Sequence, residues 1–143
     1  MGLEYTITMR KVLSLIGTLA IGLALSHEVQ KQAIERTCNE TRTKSKGNFD
    51  TDTKRIIDKV NERVKTYGGG LEWIAGDFDI RGQEARCGGL AKAVCEEGSY
   101  LGFESKIHLE MNTCGLHYYA VLMREGRSVR IDGRPLEVRA SRE

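Results

Sequence analysis

Apolar residues recur at helical spacing in the first half of the chain. Val29, Ala33, Ile34 and Cys38 fall on one side of a helical wheel, which predicts a short helix from residue 28 to about residue 38. A second apolar stripe predicts a helix that Asp52 caps and that the glycines at 68–70 end. The stripe consists of Ile56, Ile57, Val60, Val64 and Tyr67. We expect both helices to pack on a core and to take no part in chemistry.

The apolar pattern changes in the second half from a helical period to a period of two. One face of a helix that starts just after Cys87 is predicted by Leu90, Ala91, Val94, Cys95 and Leu101. Residues 103–110 then alternate, residues 116–123 are apolar on both faces, and residues 127–132 and 136–139 add short strands. Glu125 and Gly126 supply a hairpin turn. The sequence therefore predicts an α+β domain, with N-terminal helices and a cysteine-bearing helix packed on a small antiparallel sheet.

The N-terminal segment has the layout of a targeting signal. Arg10 and Lys11 precede residues 12–26, which carry no charge and end in Ala24-Leu25-Ser26. A basic start, an apolar centre and small residues before a cleavage point are the three parts of a secretory signal. The apolar run is shorter than the roughly 20 residues that span a bilayer. An uncleaved anchor and a buried helix remain as alternatives, and Met9 is an alternative start.

We therefore expect residues 1–26 to be a signal peptide or a signal-anchor and residues 27–143 to form a single domain. The protein would be exported to the periplasm or secreted, and attached to a membrane only if the segment stays uncleaved. A formal net charge of +2 gives no basic field, so we expect no nucleic-acid partner. Oligomeric state is left open.

The four cysteines show no C-x-x-C spacing, which disfavours a zinc ribbon or a thioredoxin-type redox motif. Cys87 differs from the other three because it is expected at a helix N-terminus, where the helix dipole favours a thiolate. Gly88 and Gly89 after it are expected to leave space beside the sulfur for a substrate backbone. Pairing among Cys38, Cys95 and Cys114 stays open, including a Cys38–Cys95 bridge.

A thiol nucleophile needs a base, and the base needs a group that orients it. If Glu125 and Gly126 are the two turn residues, Tyr119 faces Asp132, and His117 is the diagonal neighbour of Asp132 on the same face. A turn of odd length would break this parity. The backbone N–H of Cys87 and the Gln83 side chain are candidate donors to an oxyanion. We predict Cys87 as nucleophile, His117 as base and Asp132 as the orienting residue.

Two segments, RCGGLAKAVCEEGSYLGFESKIH and LHYYAVLMREGRSVRIDGRP, resemble the core of the transglutaminase-like and papain-like cysteine peptidase superfamily. In that family a Cys opens a helix, a His begins a strand and an Asp ends the next strand. The resemblance covers about residues 81–136 and is that of a small bacterial or phage-type member. It implies a papain-like α+β fold with Cys87, His117 and Asp132 as the triad. The Gly-Gly pair after Cys87 departs from the family pattern.

Together these observations predict an exported thiol hydrolase or acyltransferase that cleaves protein or peptide amide bonds through a thioester, without a cofactor. Hydrolysis is favoured over crosslinking because water is always available as the acceptor. One alternative is a catalytically inactive exported binding or inhibitor protein on the same scaffold, in which Cys87 would be disulfide-bonded or slow to alkylate. A second alternative is a metal site built on Cys114-x-x-His117 with Cys87, Cys95 or His108.

Overall fold

The N-terminal helix α1 includes residues 26–40. The structure, a computed structural model, describes residues 11, 26–44, 47–68, 78–113 and 115–140. The predicted signal or anchor, residues 1–26, lies outside these ranges except for residues 11 and 26. Within the described ranges no helix is long and apolar enough to cross a membrane. His27, the first residue of the predicted domain, is buried, and its Nδ1 lies 3.2 Å from the Tyr118 hydroxyl.

Helix α1 covers the edge of the sheet. The Asn39 side chain donates to the Ser105 carbonyl and accepts from the Ser105 N–H, at 3.2 and 3.0 Å. Glu35 accepts a third hydrogen bond, from the Ile107 N–H, at 2.6 Å. Because these side chains satisfy backbone groups of an edge strand, α1 blocks further strand pairing at that edge.

Helix α2 spans Phe49–Arg63. Its N-cap is Asn48, whose side chain accepts from the N–H groups of Asp50 and Thr51. The prediction that Asp52 caps this helix is wrong, because Asp52 lies inside the first turn and is buried. The helix also ends earlier than predicted, at Arg63 with Val64 as C-cap, so the glycines at 68–70 do not end it.

Helix α3 spans Cys87–Tyr100 and begins where the sequence predicts. Two short strands precede it: β1, Thr66–Tyr67, pairs in parallel with β2, Glu84–Ala85. The apolar pattern gave no sign of this pair. The pairing of β2 with β1 fixes the chain directly before Cys87 and so fixes the start of helix α3.

The second sheet is an antiparallel meander in the order β3-β4-β5-β6. Its strands are β3, Glu104–Asn112; β4, Gly115–Arg124; β5, Arg127–Asp132; and β6, Glu137–Arg139. Strand β4 is central, as predicted, and its side chains alternate between a buried and a half-buried face. The α+β class is confirmed, with a cysteine-bearing helix on a four-stranded antiparallel sheet.

The core lies between the helices and the inner face of the meander. Its fully buried side chains include Ile56, Val60, Val94, Cys95, Phe103, Ile107, Leu122 and Ile131. Helix α3 approaches β4 so closely that a Cβ added at Gly98 would stand 2.9 Å from a Leu122 methyl carbon. This close contact fixes the distance between the helix that carries Cys87 and the strand that carries His117.

Candidate active site

Cys87 is the first residue of helix α3 and is half-buried. The N-cap, Arg86, makes no side-chain cap, and the first turn holds no acidic residue. A thiolate at Cys87 is thus the anion closest in sequence to the positive end of the helix dipole. Cys87 is a free thiol.

The second glycine after Cys87, Gly89, serves packing. Both Gly88 and Gly89 are buried, and a Cβ on Gly89 would stand 2.8 Å from the Asp79 carbonyl oxygen. Helix α3 therefore needs Gly89 in order to lie against the segment at residues 78–80. The expectation that Gly89 leaves room for a substrate is wrong, because protein backbone occupies that space.

Cys87 and His117 line the same small cavity, and the interaction between thiol and imidazole shifts the pKa values of both groups. Burial by itself raises the pKa of the Cys87 thiol. The hydrogen bond with His117, another with the backbone of Tyr118, and the charges of His117 and Arg134 outweigh burial and hold that pKa below its ordinary value. The same contact with Cys87 is the largest cause that raises the pKa of His117, and it exceeds the opposing effect of burial. Both shifts act in the direction of a thiolate–imidazolium pair.

Asp132 contacts the other side of the His117 ring. Nε2 of His117 lies 2.7 Å from Oδ1 of Asp132, so Nδ1 is the ring nitrogen left for the thiol. The hairpin has the two-residue turn that the parity argument required: Arg124 pairs with Arg127 and Ala120 with Ile131, which places Tyr119 opposite Asp132. Glu125 and Gly126 both adopt positive φ, 54° and 74°, as this type of turn requires.

The Asp132 carboxylate is held at both oxygens. Oδ1 accepts from the Gly133 N–H at 2.7 Å as well as facing His117, and Oδ2 accepts from Arg130 at 2.7 Å. Burial raises the pKa of Asp132, but hydrogen bonds from Arg130, His117 and Gly133 outweigh it and lower that pKa. Asp132 is therefore an ionised carboxylate with a fixed orientation near neutral pH.

Arg130 and Glu110 extend the chain of contacts, and neither was among the site residues predicted from the sequence. Arg130 donates to both carboxylate oxygens of Glu110, at 2.7 and 3.2 Å, and its guanidinium lies 3.7 Å from the centre of the Tyr119 ring. The signal for them was available, because Glu110 pairs with His117 across β3 and β4, and Arg130 lies two residues before Asp132. Alternation along the strands puts these side chains on one face.

Gln83 lies in an exposed turn at residues 82 and 83. Its backbone carbonyl accepts from the N–H groups of Lys65 and Thr66, which anchors the turn to β1. It is not among the described residues that line a small cavity at the triad, namely Cys87, Leu90, Ala91, His117, Tyr118, Tyr119, Ile131, Asp132, Gly133, Arg134 and Leu136. The role of Gln83 as an oxyanion donor stays a prediction.

The remaining described cysteines differ from Cys87 in the reactivity expected of their thiols. Cys38 and Cys95 are buried free thiols, so the described structure holds them unbridged. Burial is the main cause that raises the pKa of Cys38 to about 11, and it raises the pKa of Cys95 still further. Cys114 lies outside the described residues. Neither of the two buried thiols is suited to act as a nucleophile near neutral pH.

The cysteine-based metal site falls partly outside the described residues, because it starts from Cys114. Within the described ranges, the one group of three side chains that could hold an ion is Glu110, His117 and Asp132, all within 4.8 Å of one another. Arg130 already donates to both carboxylates of this group. A cation would have to displace a guanidinium, so this arrangement suits an arginine better than a metal. His108 is exposed and stacks on Tyr119, with ring centres 5.3 Å apart.

Comparisons with protein-family models, with curated proteins and with solved structures found no match to this chain.

Proposed function

We propose that this protein is an exported thiol hydrolase or acyltransferase that cleaves amide bonds in peptides or proteins through a Cys87–His117–Asp132 triad. The observation that carries the proposal is that a thiol at a helix N-terminus, an imidazole and an oriented carboxylate line one small cavity, with the imidazole and the carboxylate 2.7 Å apart. The resemblance of residues 81–136 to the transglutaminase-like superfamily supports the same chemistry. The composition of residues 12–26 supports export.

The reaction starts from the thiolate–imidazolium pair. Cys87 Sγ attacks the carbonyl carbon of the amide, and the helix N-terminus faces the developing oxyanion. When the C–N bond breaks, the imidazolium of His117 gives its proton to the leaving nitrogen, so an amine departs and a thioester remains on Cys87. Asp132 holds the ring and stabilises its charge throughout.

The thioester is resolved by a second acceptor. Water adds to the thioester carbonyl while His117 takes its proton, the C–S bond breaks, and a carboxylic acid leaves with the thiolate–imidazolium pair restored. An amine in place of water would give transfer. Hydrolysis is favoured because it requires no acceptor site.

The first test is the pH dependence of iodoacetamide labelling on the purified chain, with peptide mass spectrometry to locate the label. Cys87 is expected to label well below the unperturbed thiol pKa of about 8.5. Cys38 and Cys95 serve as internal controls, because burial raises the pKa of both thiols. His117→Ala should shift the Cys87 profile to higher pH, since it removes the largest of the interactions that lower the pKa.

The second test detects the intermediate. Incubation with a peptide mixture should add an acyl mass to Cys87 that neutral hydroxylamine removes, as a thioester requires, and Cys87→Ala should show neither adduct nor turnover. The inactive exported binding protein predicts the opposite results. In that case Cys87 would label no faster than in the denatured chain, and no adduct would form. The free Cys87 thiol favours the enzyme over this alternative.

A further inference from the structure

We propose that Arg130 is a positioning residue, which fixes the Asp132 carboxylate and through it the His117 ring, and that Glu110 and Tyr119 hold Arg130 in place for this purpose. The inference rests on the proposed function, since the orientation of His117 affects catalysis only if Cys87 is the nucleophile. It adds an outer layer of side chains to the triad.

The Asp132 carboxylate is restrained in its rotation by contacts at both oxygens. Oδ1 serves His117 and the Gly133 N–H, whereas Oδ2 is bound by Arg130. Without the bond at Oδ2 the carboxylate could rotate about its Cβ–Cγ bond, whose preferred angles are broad. The guanidinium therefore helps to fix the plane in which the carboxylate faces the imidazole. The Arg130 and Asp132 side chains are 12% and 9% exposed, and both line a cavity of about 360 Å³.

The Arg130 guanidinium is itself held in place by its neighbours. One guanidinium nitrogen, Nη2, donates to both Glu110 and Asp132 at 2.7 Å, and Nη1 donates to the second Glu110 oxygen. The Tyr119 ring lies against the guanidinium plane and restricts it further. A planar fork with several donors can bridge two carboxylates and stack at the same time, whereas a lysine ammonium does not reproduce this geometry. The arrangement therefore requires arginine at this position.

A positioning role for Arg130 can be distinguished from a purely electrostatic one by its effect on the pKa of His117. A positive charge beside Asp132 weakens the influence of that carboxylate on His117, so losing the charge alone would raise the pKa of His117. Losing the orientation of Asp132 would instead break the hydrogen bond with His117 and lower the pKa of His117. The two explanations predict opposite signs.

Other charged and titratable groups also surround His117, and they must stay constant in the test. They are Cys87 on α3, Glu110 on β3, Tyr118 on β4, Asp132 on β5, Arg134 in the following turn and Arg139 on β6. Measurements in a Cys87→Ala background remove the group with the largest effect on His117 and leave the others unchanged.

The experiment is an NMR titration of the histidine rings in the full chain carrying Cys87→Ala. The chain has three histidines, and the spectrum of a His117→Gln variant identifies the signal of interest. Arg130→Met loses both the charge, which by itself would raise the pKa of His117, and the orientation of Asp132, whose loss lowers it by about 1 to 3 units, so we expect a net downward shift smaller than that range. Arg130→Lys keeps the charge and is expected to lower that pKa as well, since it cannot bridge both carboxylates.

The matched control is Arg127→Met. Arg127 lies on the same strand, donates to both oxygens of Asp50 and covers the Phe49 ring at 4.1 Å, but it makes these contacts away from the triad. Its loss should leave the His117 titration unchanged. An unchanged or raised His117 pKa in Arg130→Lys, which keeps the charge, would overturn the proposal, and so would a raised pKa in Arg130→Met. If Arg130→Met does not fold, Arg130→Lys decides, because a wild-type titration in that variant would show that the fork is not needed.

Failure of the proposed function is distinguishable from failure of this inference. The titration requires neither turnover nor a thiol, whereas the proposed function is tested by labelling and acylation of wild-type Cys87. An inert Cys87 together with a shifted His117 would retain the positioning contact and reject the enzyme.

Discussion

A buried ion pair joins helix α2 to the central strand, and its loss is the largest stability effect that we predict. Arg124 Nη1 lies 2.8 Å from Asp52 Oδ2, and both side chains are at most 8% exposed. The guanidinium also donates to the carbonyls of Leu101 and Gly47, at 2.6 and 3.0 Å, and faces the Phe103 ring at 4.2 Å. Asp52→Ala would leave this buried cation without its carboxylate.

The size of the effect follows from the burial. Removing one partner of a buried pair costs about 3–5 kcal/mol, because the remaining charge is desolvated and uncompensated. A domain is stable by only about 5–15 kcal/mol, so the loss takes up a large fraction of the total. The melting temperature should fall by about 6 °C or more, given roughly 2–8 °C per kcal/mol for domains of this size range.

The assay is urea unfolding followed by far-UV circular dichroism, with Asp50→Ala as the control. Asp50 lies in the same helical turn and pairs with Arg127 at the same N–O distance of 2.8 Å, but those side chains are 72% and 55% exposed. An exposed pair contributes at most about 1 kcal/mol. Equal losses of unfolding free energy in Asp52→Ala and Asp50→Ala would refute the reasoning, because the two ion pairs have the same length and burial would then have no effect. Arg124→Met in the Asp52→Ala background should recover part of the loss, since it removes a buried charge that has lost its carboxylate.

Three further predictions concern the site. Gly89→Ala should destabilise the domain by about 1–3 kcal/mol in urea unfolding, despite better helix propensity, because the new Cβ would meet the Asp79 carbonyl at 2.8 Å. Asp132→Asn should lower the free energy of unfolding more at pH 6 than at pH 3. The partners of Asp132 outweigh burial and lower its pKa in the folded protein. The contribution of Asp132 to stability is therefore present above its unfolded pKa and is lost as the pH falls through its folded pKa. Cys87→Ala should lower the pKa of His117 in an NMR titration, because the hydrogen bond with Cys87 is the largest cause that raises that pKa.

The arrangement of the site residues was largely predictable because it depends on strand parity. An even two-residue turn at Glu125 and Gly126 puts His117 and Asp132 on one face whatever the side chains around them, and the structure has that turn. The start of helix α3 at Cys87 was likewise predictable from the apolar period. These features depend on short stretches of sequence, which local patterns determine.

Features that depend on distant contacts were not predictable in this way. Aspartate is a residue type typical of helix caps. The partner of Asp52 is nevertheless Arg124, 72 residues further along the chain. Gly89 beside a reactive thiol suggests space for a substrate, but its role depends on the Asp79 backbone. In both cases the local rule was sound in itself, and a tertiary contact decided the outcome.

Two arginines of the meander, Arg124, which is buried, and Arg130, which is half-buried, show why residue type does not separate structure from function. Arg124 and Arg130 both bind an aspartate at 2.7–2.8 Å, and both lie against an aromatic ring. They differ in the other contact that the aspartate makes. Asp132 passes the constraint to a histidine that faces a thiol. Arg130 variants should therefore change the chemistry of His117, whereas variants of Arg124 should chiefly change stability.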